Sequence, residues 1–204
     1  MSVRIAIIVE GATERAFIPK LREFLKAQLA ERAMPKLDIF HCDGRIPTGD
    51  KLRRDVENLL SGKNAADAVI ALTDVYTGTR EFTNAQDAKD KMRGWVGNEQ
   101  RFYPHVALHD FEAWLLPFWD DIQNLAGSNR AVPGVHPEQV NHDQPPAHRL
   151  QEVFRTGSKG KAYVKSRDAA RILRDRDLAV AAKACPELKE FLNTILVLCG
   201  AAAI

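Results

Sequence analysis

The segment VRIAIIV, residues 3–9, is the sequence feature that most restricts the fold. It is a β-branched, apolar run that lacks the polar alternation of a half-exposed strand. Such runs are typical of strands covered on both faces, as in parallel sheets. The run ends at Glu10, and Gly11 follows directly. A glycine here lets the chain turn sharply and lets the backbone approach a ligand. The segment therefore predicts a core strand that carries a carboxylate to the edge of a sheet.

Strand and helix patterns alternate along the first half of the chain. Apolar residues at helical spacing follow residue 13, and the predicted strands after it are 36–42, 67–74 and a segment that begins at 102 and runs into a helix. Helices are predicted at 50–60 and 84–97. This order predicts an α/β fold, with a Rossmann-like parallel sheet flanked by helices.

The second half of the chain has a different character. Residues 127–149 are rich in Pro, Gly, Asn and His, which predicts a loop. Helical patterns follow at 147–155, 166–173 and 177–198. We therefore predict an α/β domain over 1–118 and a loop-rich, helical C-terminal extension over 119–204 that packs on it.

Composition excludes several classes of protein. The 204 residues are 45% hydrophobic and 27% charged with a net charge of +2, so a nucleic-acid site must be a local patch. The three cysteines, Cys42, Cys185 and Cys199, lack metal-site spacing and are expected to be free thiols in a reducing cytosol. No signal peptide or apolar run of about 18 residues is present, which predicts a cytoplasmic protein without membrane contact. The sequence leaves open whether it forms a homo-oligomer.

Acidic residues lie where the predicted strands end. Glu10 ends the first strand, Asp74 ends the third, and Asp110 and Glu112 follow the fourth. Glu14 lies one helical turn beyond Glu10. The carboxyl ends of parallel strands share one edge of the sheet, where ligands bind. Clustered carboxylates repel one another, and a divalent cation relieves that repulsion. Oxygen ligands without Cys or paired His favour Mg²⁺ or Mn²⁺. Alternatively, each acid is a solvated strand end or a helix N-terminal charge.

The first of these motifs resembles a known fold. IIVEGATE is similar to the first motif of the TOPRIM fold, in the VEGxTE form of the old-lysogenization-defect (OLD) family nucleases. TOPRIM proteins join that glutamate to a DxD motif at a later strand end. Here the later motif is TDVYTG, so Asp74 matches and Tyr76 replaces the second acid.

A second resemblance covers most of the chain. VEGATERAF, DVYTGTREF, YPHVALHDFEAWLL, QPPAHRL and ACPELKEFL resemble, in this order, segments of the bacterial, TOPRIM-like domain-of-unknown-function family 4276. The resemblance implies that Glu112, in the HDFEA motif, supplies the missing acid. It also implies an ATPase partner of the ABC or SMC type, encoded nearby, and a role in defence against phage.

Basic residues in the second half are candidates for contact with nucleic acid. TGSKGKAYVK contains Lys159, Lys161 and Lys165 in a Gly/Ser setting that can grip a phosphate backbone. One of these lysines can also stabilise developing phosphate charge. Arg149, in PPAHRL, is a candidate phosphate or interdomain contact. The alternative is a solvated loop.

Three further residues lie near the acidic motifs. Tyr76 and Arg80 are predicted to line the entrance of the site and to contact a phosphate of the nucleic acid, although a strand-end tyrosine is as often a packing residue. His109 precedes the Asp110 and Glu112 pair and is either an acid or base, since its ordinary pKa lies near neutrality, or a structural residue.

These patterns lead to one functional hypothesis and two alternatives. The hypothesis is an Mg²⁺- or Mn²⁺-dependent nuclease or phosphotransfer enzyme on DNA or RNA, in which Glu10 and Asp74 hold the metal. Glu14 and Glu112 complete the site, Asp110 supports it, and a lysine of 159–165 meets the phosphate. The first alternative is a non-catalytic or conditionally active subunit of an ATPase complex. The second is a small-nucleotide hydrolase or binding module.

Overall fold

A parallel sheet forms the centre of the fold. The computed structural model describes residues 2–42, 44–76, 81–134, 136–139 and 144–204, without the side chains of Ala12, Glu14 and Arg15. Within these residues the sheet has the order β2-β1-β3-β4, and neighbouring strands are parallel. The strands are β1 (Arg4–Val9), β2 (Lys36–His41), β3 (Ala68–Val75) and β4 (Phe102–Leu108).

The strand order reverses direction beside β1. The chain adds β2 on one side of β1 and then crosses over to add β3 on the other side. In open α/β sheets, ligands bind in the crevice outside the carboxyl ends of the strands at such a reversal. Val9 and Leu72 are the last residues that β1 and β3 pair with each other, and Glu10 and Thr73 follow them directly. The register therefore brings Glu10 and Asp74 to the same crevice.

Helices connect and cover the strands. The first half contains α1 (Ala12–Leu29), α2 (Gly49–Leu59) and α3 (Ala85–Val96). After β4 come a 3₁₀ helix (Phe111–Phe118), α4 (Trp119–Ala126) and a short 3₁₀ helix (Pro137–Gln139). The chain continues with α5 (Pro146–Thr156), α6 (Lys165–Leu173), α7 (Leu178–Ala184) and α8 (Pro186–Leu198). No helix in the described ranges is long and apolar enough to cross a lipid bilayer.

Both faces of the sheet are buried. Successive strand side chains point to opposite faces, so Ile5 and Ile7 join one core while Ala6 and Ile8 join the other. The first core contains α1 and the helices that follow β4, and the second contains α2 and α3. This double burial explains the apolar run of β1, and the α/β fold predicted from the sequence is confirmed.

The helices after β4 share their core with α1. Phe17 of α1 lies edge-on to Phe111, with ring centroids 5.3 Å apart, and Trp114 stacks on Phe191 of α8 at 6.1 Å. Aromatic pairs of this kind add specific geometry to the burial of apolar surface. The predicted division at residue 118 falls inside this continuous core, between the 3₁₀ helix and α4, and stays a prediction.

The structure differs from the sequence expectations in the second half. The helical segment predicted at 177–198 is two helices, because Pro186 lacks a backbone N–H and disfavours helical geometry at Cys185. The helix predicted after β4 begins as a 3₁₀ helix, and the sequence analysis did not predict α4.

Buried His105 of β4 anchors α8 to the sheet. Its Nε2 lies 3.0 Å from Thr194 Oγ1 of α8, and only 2% of the residue is exposed. Burial lowers the pKa of His105 to about 4, an effect that nearby Lys89 reinforces and Glu190 opposes. The imidazole is therefore neutral in the folded chain at neutral pH.

We expect His105 to make the fold sensitive to mild acid. Its folded pKa lies below the ordinary value, so its contribution is present above about pH 6.5 and is lost as pH falls toward about 4. Between about pH 7 and pH 5, the free energy of unfolding of His105→Gln should fall by about 2 kcal/mol less than that of the unmodified chain. Urea denaturation at both pH values measures this difference. Exposed His136→Gln is the control, and equal falls for His105→Gln and the unmodified chain would contradict the assignment.

Candidate active site

Glu10 spans the gap between β1 and β3. Its Oε1 accepts a hydrogen bond of 3.1 Å from the backbone N–H of Asp74. The hydroxyl of Thr73, a buried residue, donates to the same oxygen. The half-buried Glu10 side chain is thus fixed at the crevice where the strand order reverses. Asp74 is also half-buried, so this edge of the sheet carries two half-buried carboxylates.

A strained turn at His109 follows β4. His109 is buried and has a φ of 68°, in the left-handed region that non-glycine residues seldom adopt. Its backbone N–H donates to the carbonyl of Val75 at 2.8 Å, which ties the turn to the end of β3. Its ring lies edge-on to Tyr76, with centroids 6.5 Å apart. Such strain persists where the surrounding structure holds it, and here the turn leads into Asp110.

Asp110 is fully buried and contacts the start of α5. Its Oδ2 accepts a hydrogen bond of 3.1 Å from the backbone N–H of Ala147, in the first turn of that helix. Its Oδ1 has no hydrogen-bond partner among the described residues. Burial, followed by the negative charge of Glu112, raises the pKa of Asp110 to about 7, while the Ala147 hydrogen bond and Lys165 oppose the shift.

Glu112 is also fully buried, and both of its carboxylate oxygens are engaged. Oε1 accepts a hydrogen bond of 3.3 Å from the Tyr163 hydroxyl, and Oε2 lies 3.5 Å from Lys165 Nζ. Burial raises the pKa of Glu112, and Lys165 opposes that shift. Burial also acts to lower the pKa of Lys165, but the charges of Glu112, Asp110 and Asp74 outweigh it, and the lysine stays protonated.

The predicted acids shift the pKa of the Tyr76 hydroxyl. Burial raises its pKa first, and four negative charges raise it further. Those charges belong to Asp110, Asp74, Glu112 and Glu10. The charges of the predicted acids from three strand ends therefore all act on this one hydroxyl.

The structure brings together seven of the predicted site residues. They interact through the hydrogen bonds, ring contact and charges described above and are Glu10, Asp74, Tyr76, His109, Asp110, Glu112 and Lys165. Their chemical roles stay predictions.

Other predicted residues have different surroundings. Lys159 Nζ donates to the carbonyl of Asn124 at the end of α4, at 2.6 Å, and Lys161 is exposed. Arg149 lies on α5, and its buried Nε has no hydrogen-bond partner among the described residues. Gly11 occupies the two-residue connection between β1 and α1.

Two predicted residues lie wholly or partly outside the described part of the chain. Arg80 is not among the described residues, and of Glu14 only the backbone, in the first turn of α1, is described.

Two residues that orient the acids were not predicted from the sequence. Thr73 donates to Glu10, and Tyr163 donates to Glu112. Their positions in the sequence gave a signal, since Thr73 precedes Asp74 and Tyr163 stands two residues before Lys165. A cavity of about 410 Å³ that opens beside Glu10 was not predicted either.

The carboxylates at the crevice suit a hard divalent cation. Among the residues whose side chains are described, no three His, Cys, Asp or Glu side chains are grouped to hold a metal ion. Mg²⁺, however, usually keeps several waters and takes one or two carboxylates together with substrate phosphates. Glu10 and Asp74 supply two such carboxylates on adjacent strands. The donor set therefore fits magnesium or manganese.

Fold and site together describe an α/β protein with an acidic crevice at its strand-order reversal. The chain belongs to the family described as "Domain of unknown function (DUF4276)", whose model matches residues 9–196. None of the curated proteins compared with the chain matches it.

The solved structures that resemble the chain include the C-terminal regions of two OLD proteins. The C-terminal region of the Burkholderia pseudomallei OLD protein has a TM-score of 0.50 and 16% identity, over 96% of this chain and 98% of that chain. The C-terminal region of the Xanthomonas campestris pv. campestris OLD protein, phased with mercury, has a TM-score of 0.44 and 16% identity, over 93% and 96%. The first of these similarities shows a shared fold.

We expect Asp110 to stabilise α5 through its acceptor oxygen rather than its charge. Asp110→Ala removes the acceptor for Ala147 N–H and should lower the free energy of unfolding by about 1–2 kcal/mol. Asp110→Asn keeps an acceptor and removes a buried charge, so its free energy of unfolding should fall much less. Urea denaturation in metal-free buffer compares the two variants. Equal losses would show that the hydrogen bond to α5 is not what Asp110 contributes.

Proposed function

We propose that this chain is a metal-dependent phosphodiester hydrolase that cleaves DNA or RNA at the carboxyl edge of its sheet. The observation that carries the proposal is the Glu10–Asp74 pair at the strand-order reversal, with protonated Lys165 among the neighbouring charges. Hydrolysis forms a P–O bond to a water oxygen, breaks the P–O bond to the leaving sugar oxygen, and transfers a proton to that oxygen.

Glu10 and Asp74 are the residues that would hold the cation. Oε1 of Glu10 is fixed by Asp74 N–H and the Thr73 hydroxyl, so this carboxylate needs little reorganisation to receive a ligand. A bound magnesium or manganese ion polarises a phosphoryl oxygen and lowers the pKa of water. Asp110 and Glu14 are the candidates for completing or supporting this set.

Among the described residues, Lys165 is our candidate for the cation that meets the substrate phosphate. It pairs with buried Glu112 but keeps 47% of its side-chain surface exposed. Tyr163 and Lys165 hold Glu112 from two sides, and Glu112 in turn positions the lysine. A fixed ammonium group near the reacting phosphate stabilises the charge that develops in the transition state. In this proposal Glu112 positions Lys165, which differs from the ligand role that the family resemblance implies.

The relatives support the proposal at the level of the family. VEGATE resembles the motif of the OLD-family nucleases, and the structural neighbour with a TM-score of 0.50 is the C-terminal region of an OLD protein. A role in phage defence, beside an ATPase, is part of the proposal on the same basis.

Glu10→Gln tests the proposed chemistry. Glutamine keeps a carbonyl oxygen for Asp74 N–H and Thr73 but loses the negative charge. We expect cleavage of labelled DNA or RNA with magnesium or manganese to fall roughly 100-fold or more, since metal catalysis is worth several kcal/mol. Exposed Glu57→Gln on α2 should keep full activity. Undiminished cleavage by a folded Glu10→Gln variant would rule out this mechanism.

Calorimetry tests the cation site directly. Titration with manganese should give a saturable heat in the unmodified chain and in Glu57→Gln, and the heat should be absent in Glu10→Gln and in Asp74→Asn. The physical reason is that one or two carboxylates carry most of the protein's attraction for the ion. A heat that persists in both crevice variants would place the cation elsewhere.

A conditionally active subunit is the second candidate function. Tyr76 stands where the TOPRIM motif has its second acid, and no three-ligand group occurs among the described side chains. Such a site would be completed by assembly with an ATPase partner. This candidate predicts no cleavage by the chain alone and cleavage after addition of the ATPase with which it co-purifies.

A further inference from the structure

A cavity adjoins the acidic crevice on the side of the sheet that α2 and α3 cover. Its volume is about 410 Å³, within the range of small-ligand pockets. Glu10, Asp74 and Tyr76 are among its lining residues. The other described lining residues are divided equally between apolar side chains, which include Ile46, Met92 and Trp95, and polar side chains, which include Arg45 and Glu81.

We propose that this cavity receives one unpaired nucleotide of the substrate strand. The base packs against the apolar wall that contains Trp95, and the sugar and phosphate face Glu10 and Asp74. This inference rests on the proposed function and adds a substrate class to it, single-stranded nucleic acid. A cavity whose lining includes both aromatic side chains and a metal-compatible acid pair suits the two chemically different ends of a nucleotide.

Trp95 is the aromatic residue that carries the argument. Of the three tryptophans, Trp114 and Trp119 are buried, whereas Trp95 at the end of α3 is only partly buried and lines the cavity. A tryptophan with surface available to a cavity offers a face for stacking, and stacking accepts any base because every base has a π-face. Buried Ile46 and Met92 also line the cavity.

An exchangeable cation lies in the same cavity. Arg45 Nη1 pairs with Glu81 Oε2 at 2.7 Å, and the two side chains are 76% and 41% exposed. Ion pairs between such exposed groups contribute little to stability. Arg45 can therefore leave Glu81 for a phosphate at small cost, and guanidinium groups bind phosphate well.

The cavity favours unpaired nucleotides over duplex. In a duplex each base is stacked on both faces and paired along its edge, so it cannot enter a side pocket without leaving the helix. A single strand presents its bases to aromatic side chains without that cost.

Binding of single-stranded oligonucleotides tests the proposal without cleavage. Fluorescence anisotropy in calcium buffer compares a labelled single strand, its duplex, and the same strand with abasic residues. We expect the single strand to bind at least about tenfold more tightly than the other two, and Trp95→Ala to weaken its binding roughly 5- to 100-fold. Trp95→Phe should restore most of the affinity, because it restores an aromatic face.

Matched controls separate stacking from general effects. Phe40→Ala removes an exposed aromatic residue on β2 that does not line this cavity, and it should leave binding unchanged. Arg45→Ala should weaken binding and reduce the slope of log affinity against log salt by about 1. Equal binding of the intact and abasic strands, or a Trp95→Ala variant that binds like the unmodified chain, would overturn the proposal.

A free nucleotide is the alternative occupant of the cavity, and a separate experiment tests for it. Quenching of tryptophan fluorescence by adenosine monophosphate is compared with quenching by a short adenylate strand, in the unmodified chain and in Trp95→Phe. The strand should bind more tightly, and the quenching should be lost in Trp95→Phe. Equal affinities for adenosine monophosphate and for the strand would indicate that the cavity binds a free nucleotide rather than a nucleotide of a strand.

The outcomes also separate this inference from the proposed function. If Glu10→Gln cleaves normally but the Trp95 effects hold, the nucleotide pocket stands and the catalytic proposal fails. If Glu10→Gln abolishes cleavage but neither abasic residues nor Trp95→Ala changes binding, the catalytic proposal stands and the pocket fails.

Discussion

The hydrogen bond from Asp74 N–H to the Glu10 carboxylate joins the architecture of the chain to its proposed chemistry. It forms because β1 and β3 are adjacent and parallel and pair up to Val9 and Leu72, so Glu10 leaves the end of β1 beside Thr73 and Asp74, where β3 continues to Val75. This parallel pairing depends on burial of both faces of the sheet, which the apolar run of β1 makes favourable.

The helices that follow β4 stabilise the buried acids of the same edge. Asp110 receives a hydrogen bond from the start of α5, and Glu112 is engaged by Tyr163 and Lys165 near the start of α6. Buried carboxylates without such partners would carry a large desolvation cost. The acidic edge is therefore a joint product of both halves of the chain, and the shared apolar core holds the two halves together.

Most of the fold was predictable from local patterns. The strands, the helices between them and the parallel arrangement follow from the apolar periodicity and from the acids that end the strands. The failures have local causes too. Pro186 divides α7 from α8, and the helix after β4 begins as a 3₁₀ helix, which shares its apolar positions with an α-helix pattern.

For the site, local patterns were enough to predict that Glu10, Asp74 and Asp110 reach one edge of a sheet, because strand ends and chain direction are local properties. The partner of each acid could not be predicted in this way. Glu112 pairs with Lys165, a residue 53 positions away. The cavity beside Glu10 is likewise lined by side chains that are far apart in the sequence, and Trp95 of α3 is one of them. Such contacts depend on how helices pack across the core, and no local periodicity encodes them.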